Sequence, residues 1–464
     1  MGNRQGEVVD MHVFRSIQNL LDLLGPKRGV TPPSVPASLQ AVSPVPISRL
    51  SEGGPTMDAH IRSRVSVSQV GLQSASSWPP SDGEILKTCR GGSKATVKIC
   101  ESPSRGLYVK KYVSSEIKQN EAEWKLEQGR LENDLKTYEQ LRNMPLGNTF
   151  GGLHHYTCSK DEGLVLYLEY AGSSVLANHV MSDSPEPLGT MVSFFNTVAR
   201  SITESCTNVG VRGDESEIRR QLFLVRIVGR LQPTVDALSP LMLNAGDFKQ
   251  ALSLASRRWE TLYARLAPLL LLGPVAALPT DTTFLNMMLN PETKTVKCID
   301  PGKIDITAAA YPLSKMLVFG PYYRFINDKE FELGKKGFLA VKAEDVTRTV
   351  GVLKSCHGIL EQLDPVTACQ TVVAGLIQFG GDLGYRYNKE DVQSEKTAAD
   401  LSLFTRALTR LENLVNDTFE GIGLPMNSSV TLKNVGRFAD VFIGLRGNSL
   451  AEEVAMMLPV KEGL

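Results

Sequence analysis

The chain has 464 residues and carries 50 basic and 50 acidic side chains, so it has no formal net charge. That length is enough for two or three lobes around a large core. The charge balance excludes a global field that would draw in nucleic acid or anionic lipid. The seven cysteines, Cys89, Cys100, Cys158, Cys206, Cys298, Cys356 and Cys369, stand singly, without CxxC or metal-type Cys/His spacing. An odd number of unspaced cysteines points to reduced thiols and a cytoplasmic protein. The six histidines form no HExxH-type pair, which argues against a zinc hydrolase.

In chain order, residues 11–24 could make one or two amphipathic helical turns, and residues 25–80 are rich in Pro and Ser with few aromatics. Such a stretch buries too little apolar surface to offset its ordering entropy, so residues 1–80 are expected to be a disordered tail, open to a protein partner. Gly2 follows the initial Met, but Gly6 stands where an acylation signal favours Ser or Thr.

Order is expected from about Asp82, with residues 81–177 forming one lobe. Two strand-like runs flank the turn "RGGSK" (90–94), and "RGLYVKKYV" (105–113) reads as a third strand. A helical stretch over 114–143 follows, with Ser115 as a plausible N-cap and Leu131, Leu135 and Tyr138 on one face. Two more strands end in "YLEYAG" (167–172).

Residues 178–464 read as mainly helical. The run "DLSLFTRALTRLENLVNDTFEGIG" places Leu401, Phe404, Leu408, Leu411 and Val415 on one face, with Asp400 able to cap it. The most apolar run, "LAPLLLLGPVAAL" (266–278), is too short to span a bilayer and contains two prolines, so it reads as a buried segment.

That segment leads into "PTDTTFLNMMLNPETKTVKCIDPGK" (279–303), in which "FLNMMLN" and "TVKCID" read as strands joined by an Asn290-Pro291 turn. Asp281 and Asn286 stand at one end, and Asp300 closes the second strand. An Asp, an Asn five residues on, a hairpin and a second Asp is similar to the order of the kinase catalytic-loop Asp, its Asn and the metal Asp, groups that serve phosphoryl transfer. One carboxylate accepts the proton of the attacking hydroxyl, and two oxygen donors hold magnesium on the ATP phosphates. Asp281 is the candidate base; Asn286 and Asp300 are the candidate metal ligands.

The first lobe should supply a lysine for the phosphates. Lys110 and Lys111 point to opposite faces of one strand, so only one can face the cleft. Lys110 is favoured by likeness to a Val-Ala-Ile-Lys pattern. An acid on the following helix should pair with it, with Glu132 preferred and Asp134, Glu121 and Glu123 as rivals. Gly91 and Gly92 could let backbone N–H groups approach the phosphates. The segment around Glu169 stands where a strand leads to an adenine-binding hinge.

Taken together, "PTDTTFLNMMLNPETKTVKCIDPG" resembles the catalytic segment of the aminoglycoside phosphotransferase and choline kinase-like group, and is similar in flavour to bacterial phosphotransferase-like proteins linked to surface-polysaccharide genes. "YPLSKML" (311–317) keeps the Tyr, Leu and Lys of a Tyr-Asp-Leu-Ala-Lys run in those proteins, with Pro312 for the Asp. The family's His-Gly falls on Pro279 and Thr280. The resemblance implies an α+β, bilobal protein kinase-like fold: a small antiparallel sheet with one helix, and a larger, mainly helical lobe holding the hairpin 279–303. It implies a phosphotransferase that uses ATP and Mg2+ on a small hydroxylated substrate such as a sugar, aminoglycoside or amino alcohol. Tyr311 begins a helical run only eleven residues after Asp300, leaving no long segment to hold a peptide substrate. A pseudokinase-type nucleotide-binding or scaffold protein and a kinase-fold nucleotidyltransferase are the rival readings.

Overall fold

A computed structural model describes residues 78–90, 95–159, 162–180, 184–208, 245–273, 275–322, 343–387 and 394–457. Residues 1–77 of the expected tail, the turn residues Gly91 and Gly92, and the side chain of Leu401 lie outside the described residues.

The first lobe is a five-stranded antiparallel sheet with one long helix. Strands β1 (Glu84–Arg90), β2 (Ala95–Ser102), β3 (Gly106–Val113), β4 (Leu153–Ser159) and β5 (Gly163–Glu169) stand in the order β1-β2-β3-β5-β4, with helix α1 (Glu121–Leu141) between β3 and β4. The alternation of β3 decides its two faces. Val109 and Val113 pack with Leu131, Leu135 and Tyr138 of α1. Tyr108 and Tyr112 lie on the opposite face with Tyr167 and Trp78.

The expected helix over 114–143 is broken. Ser114, not Ser115, caps a 3-10 turn (Ser115–Gln119), and the Asn120 side chain accepts from the Glu123 N–H to start α1. A second capping residue inside the stretch satisfies one of the four amide N–H groups left open at a helix start, and the helix restarts there.

A short strand β6 (Ser174–Val175) leaves the sheet and pairs with β8 (Met287–Asn290), which pairs in turn with β9 (Thr295–Cys298). Helices α2 (Leu176–Val180), α3 (Pro185–Asn208) and α4 (Ala245–Leu270) follow β6. The apolar run 266–278 is divided between the end of α4 and strand β7 (Val275–Pro279), and Leu266, Leu269, Leu270, Val275, Ala276 and Leu278 are all buried. Residues Phe284–Asn286 form a 3-10 turn rather than the start of a strand, so β8 begins only at Met287. Strand β10 (Ile304–Ala308) runs antiparallel to β7, with Ile304 opposite Pro279.

Helix α5 (Ala310–Ser314) continues as a π turn, Lys315–Phe319. Helices α6 (Ala343–Leu360), α7 (Pro365–Tyr387), α8 (Ser394–Gly421) and α9 (Val435–Met457) complete the second lobe. The α8 helix starts before Asp400, which therefore lies inside it and is not its cap. Phe404, Leu408, Leu411 and Val415 form the buried stripe expected of that helix. The second-lobe core is continuous from α3 through α9, and it includes Phe284, Met287 and Cys298 of the hairpin region. This is the bilobal α+β, protein kinase-like layout: a small sheet with one helix, a crossing segment, a hairpin and a helical lobe. Among the described residues no helix is long and apolar enough to cross a membrane.

Candidate active site

Pairing of β7 with β10 brings the two ends of the 279–303 segment together. Beyond the last strand pair, the Thr280 N–H donates to the Lys303 carbonyl at 3.0 Å and the Asp281 N–H to the Pro301 carbonyl at 3.2 Å. The chain after Asp300 thus runs beside the chain before Asp281. From the hairpin side, the Ile299 N–H donates to the Asn286 carbonyl at 2.7 Å. Asn286 Nδ2 then donates to Asp281 Oδ2 at 3.1 Å and to the Asp300 carbonyl at 3.3 Å. One amide therefore ties both acidic positions.

Asp300 adopts a φ of +48° and Gly302 a φ of +70°. Aspartate visits the left-handed region at a cost, and such strain persists where surrounding contacts hold it. Here those contacts are the Asn286 bond to the Asp300 carbonyl and a bond from Thr137 Oγ1 of α1 to the Gly302 carbonyl at 3.1 Å. A Cβ on Gly302 would stand 3.0 Å from that of Asp281, so the loop approaches the candidate base as closely as a glycine allows.

The small lobe meets this loop through Lys111. Its Nζ lies 2.5 Å from Asp300 Oδ1 and 3.0 Å from Asp134 Oδ2, with the lysine side chain 8% exposed and that of Asp300 47%. Burial pulls the Lys111 ammonium down, but the two carboxylates outweigh it and hold its pKa above the ordinary lysine value. Burial pushes the Asp134 carboxyl up, and the attraction of Lys111 offsets this only in part.

Two sequence expectations are corrected here. Lys111, not the favoured Lys110, is the lysine that meets Asp300. Lys110 lies on the other face of β3, 3.8 Å from Glu162 and with its ammonium 5.3 Å from the centre of the Tyr112 ring. Both faces of β3 carry apolar neighbours, so alternation alone did not tell inside from outside. The acid on α1 is Asp134, not Glu132, which is exposed. Glu121 pairs with Lys125 one turn along the helix surface, and Glu123 contributes its backbone N–H to the Asn120 cap. Asp134 follows Leu131 by three residues and precedes Tyr138 by four, so it falls within the apolar stripe of α1. An acid on a buried stripe needs a partner, and that signal was present in the sequence.

Glu169 belongs to a separate cluster. Its carboxylate accepts from the Gly152 N–H at 2.9 Å and pairs with Lys297 of β9 at 2.8 Å. The Gly151 N–H also donates to the Cys298 carbonyl at 2.9 Å. These contacts strap the small sheet to the hairpin.

By sequence, Lys315 is only the lysine kept in "YPLSKML" and has no assigned role in the site. Its Nζ donates to the Thr280 carbonyl at 2.7 Å and stands 3.5 Å from Asp281 Oδ1. A lysine in an otherwise buried helix, "YPLSKML", was the available signal.

The donor set can be tested against a magnesium ion. Asn286 and Asp300 present hard oxygen donors, which suit Mg2+. Among the described residues no group of three or more His, Cys, Asp or Glu could hold a metal. A cation here would complete its shell with phosphate oxygens and water, as Mg2+ does at nucleotide sites. The residues fit that group.

No family model and no curated protein matches this chain. Among solved structures it is similar to the gentamicin complex of APH(2")-IIa, with 10% identity and a TM-score of 0.42 over 77% of this chain and 99% of that one. It is also similar to an ethanolamine kinase of Plasmodium vivax, with 10% identity and a TM-score of 0.36 over 70% of this chain and 82% of that one. A choline kinase from Cryptosporidium parvum gives 10% identity and a TM-score of 0.36, over 74% and 93% of the two chains. Likenesses this distant carry no argument about the site, whose reading rests on its own geometry.

Proposed function

We propose that this chain is an ATP- and Mg2+-dependent phosphotransferase that transfers the γ-phosphoryl group to a hydroxyl of a small molecule, of the sugar, aminoglycoside or amino alcohol class. The observation that carries this reading is the contact of Lys111 with Asp300 across 189 residues of sequence, on the loop that Asn286 ties to Asp281. A small-lobe lysine facing two potential metal ligands, with a carboxylate beside them, supplies the parts that phosphoryl transfer needs.

In this reading Lys111 orients the ATP phosphates, and Asp134 holds Lys111 in place. Asn286 and Asp300 would hold the metal, which when bound would neutralise charge on the phosphate oxygens. Asp281 accepts the proton of the substrate hydroxyl. The new bond joins the hydroxyl oxygen to the γ-phosphorus, and the bond from that phosphorus to the β–γ bridging oxygen breaks, so ADP leaves with the electron pair. A small substrate is favoured because the chain after Asp300 goes directly into β10, which pairs with β7, and then into α5. That short path has no extended segment on which a peptide could lie.

The decisive experiment is a thermal-shift titration with ATP and Mg2+, comparing wild type with Asp300→Ala. The wild type is expected to gain several degrees at saturating nucleotide, and Asp300→Ala to lose most of the gain. No shift in the wild type overturns the enzyme reading. A shift without transfer to any acceptor in a metabolite screen supports a nucleotide-binding scaffold instead. Transfer of label to the acceptor from α- rather than γ-labelled ATP, with release of pyrophosphate, supports nucleotidyl transfer.

A further inference from the structure

The site holds a second cation, on a different element from the first. Lys315 opens the π turn that follows α5, and its ammonium stands at the Asp281 end of the site as Lys111 stands at the Asp300 end. The two lysines are placed differently. Lys111 is enclosed by Asp300 at 2.5 Å and Asp134 at 3.0 Å. Lys315 is anchored by one short bond, to the Thr280 carbonyl at 2.7 Å, and its distance to Asp281 Oδ1 is 3.5 Å. An ammonium has three donors, so this geometry leaves donor capacity at the atom expected to take the substrate proton.

The surroundings fix that position. Thr282 Oγ1 donates to the Pro312 carbonyl at 2.7 Å, so the start of α5 is bonded to the loop that bears Asp281. Gly320 lies so close that a Cβ there would meet the Lys315 carbonyl at 2.5 Å and Phe284 Cβ at 2.9 Å. The π turn is thereby packed against the 3-10 turn Phe284–Asn286. Single π turns within helices occur disproportionately at functional sites. Lys303, nearer to Asp300 in sequence, instead pairs with Asp305 at 3.0 Å.

We propose that Lys315 is a catalytic cation: it binds the transferred phosphoryl group as charge spreads over its oxygens, and it holds Asp281 in place. The proposal rests on the phosphotransferase reading above. A cation whose interaction strengthens as charge develops lowers the barrier more than it tightens ground-state binding.

The test compares the affinity for ADP·Mg2+ alone with that for ADP·Mg2+ plus aluminium fluoride, a mimic of the planar phosphoryl group, by calorimetry. Wild type should bind the fluoride complex about tenfold or more tightly than ADP·Mg2+. In Lys315→Gln, ADP·Mg2+ affinity should stay within about twofold while the fluoride-dependent gain disappears, and Lys315→Arg should restore most of the gain. If Lys315→Gln keeps the gain, or weakens both complexes equally, the lysine only braces the Thr280 carbonyl and the proposal fails. A Lys315→Gln chain that does not fold overturns it too, because the lysine is then structural. If wild type does not bind ADP·Mg2+ at all, the phosphotransferase reading itself falls, which is distinguishable from failure of the Lys315 role alone.

Discussion

Lys111 and Lys110 are chemically identical neighbours whose surroundings give them opposite fates. Lys111→Met removes the partner of Asp134, a mostly buried carboxylate. Breaking a fully buried pair costs about 3–5 kcal/mol, so this partly solvated one should cost about 2–3 kcal/mol and abolish the nucleotide-induced thermal shift. Lys110→Met removes a contact of 3.8 Å to a largely exposed Glu162 and should cost under about 1 kcal/mol, with the shift retained. Denaturant melts with and without ATP and Mg2+ check both variants. If Lys110→Met loses the shift while Lys111→Met keeps it, the assignment of faces on β3 is wrong.

At the scale of elements, the loop 299–303 sets the spacing between the two acidic positions. Gly302 has both a φ of +70° and no room for a side chain, with Asp281 Cβ at 3.0 Å and Thr280 Oγ1 at 3.2 Å. Gly106 has a φ of +72° with nothing within 4 Å, so it isolates backbone strain from crowding. Gly106→Ala should therefore cost about 1–2 kcal/mol and leave nucleotide binding unchanged. Gly302→Ala should cost more than that and weaken ATP·Mg2+ binding about tenfold, because the loop must move off Asp281. Paired melts and nucleotide titrations of the two variants separate the effects. Equal losses in both would show that the approach of the loop to Asp281 does not matter.

At the scale of the whole molecule, a buried polar network joins the last helices to the segment after the candidate site. Tyr322 donates to Glu453 Oε1 at 2.7 Å, and Arg446 Nε lies 3.6 Å from Glu453 Oε2, with Arg446 and Glu453 both fully buried. Arg446 Nη1 stands 3.1 Å from His357 Nδ1, while Glu361, in the turn just after α6, lies 3.4 Å from His357 Nε2. Burial, with Arg446 adding to it, lowers the His357 pKa to about 4. An unfolded chain titrates this histidine near its ordinary value of about 6.5. Between the two values the unfolded state binds the extra proton, so stability is full above about pH 6.5 and falls as the pH drops towards 4, by on the order of 2–3 kcal/mol. Melting temperature measured across that window should fall less steeply for His357→Gln than for wild type. Parallel curves would rule His357 out as the source.

The sequence by itself determined the order of elements and the local cluster of chemistry. Asp281, Asn286 and Asp300 lie within one short stretch, and strand pairing and turn geometry over so few residues follow from local patterning. It also determined the α1 and α8 stripes, because helical periodicity is a local property. Only the tertiary structure decided which face of β3 is inside, which acid of α1 meets Lys111, and that Lys315 reaches Asp281. Each of those choices depends on what packs against an element from far along the chain. The Trp78 and Tyr167 rings beside Tyr108 and the bond from Thr282 to Pro312 are contacts of that kind. Alternation and periodicity state which residues share a face, but burial chooses the face, and burial is a property of the assembled molecule.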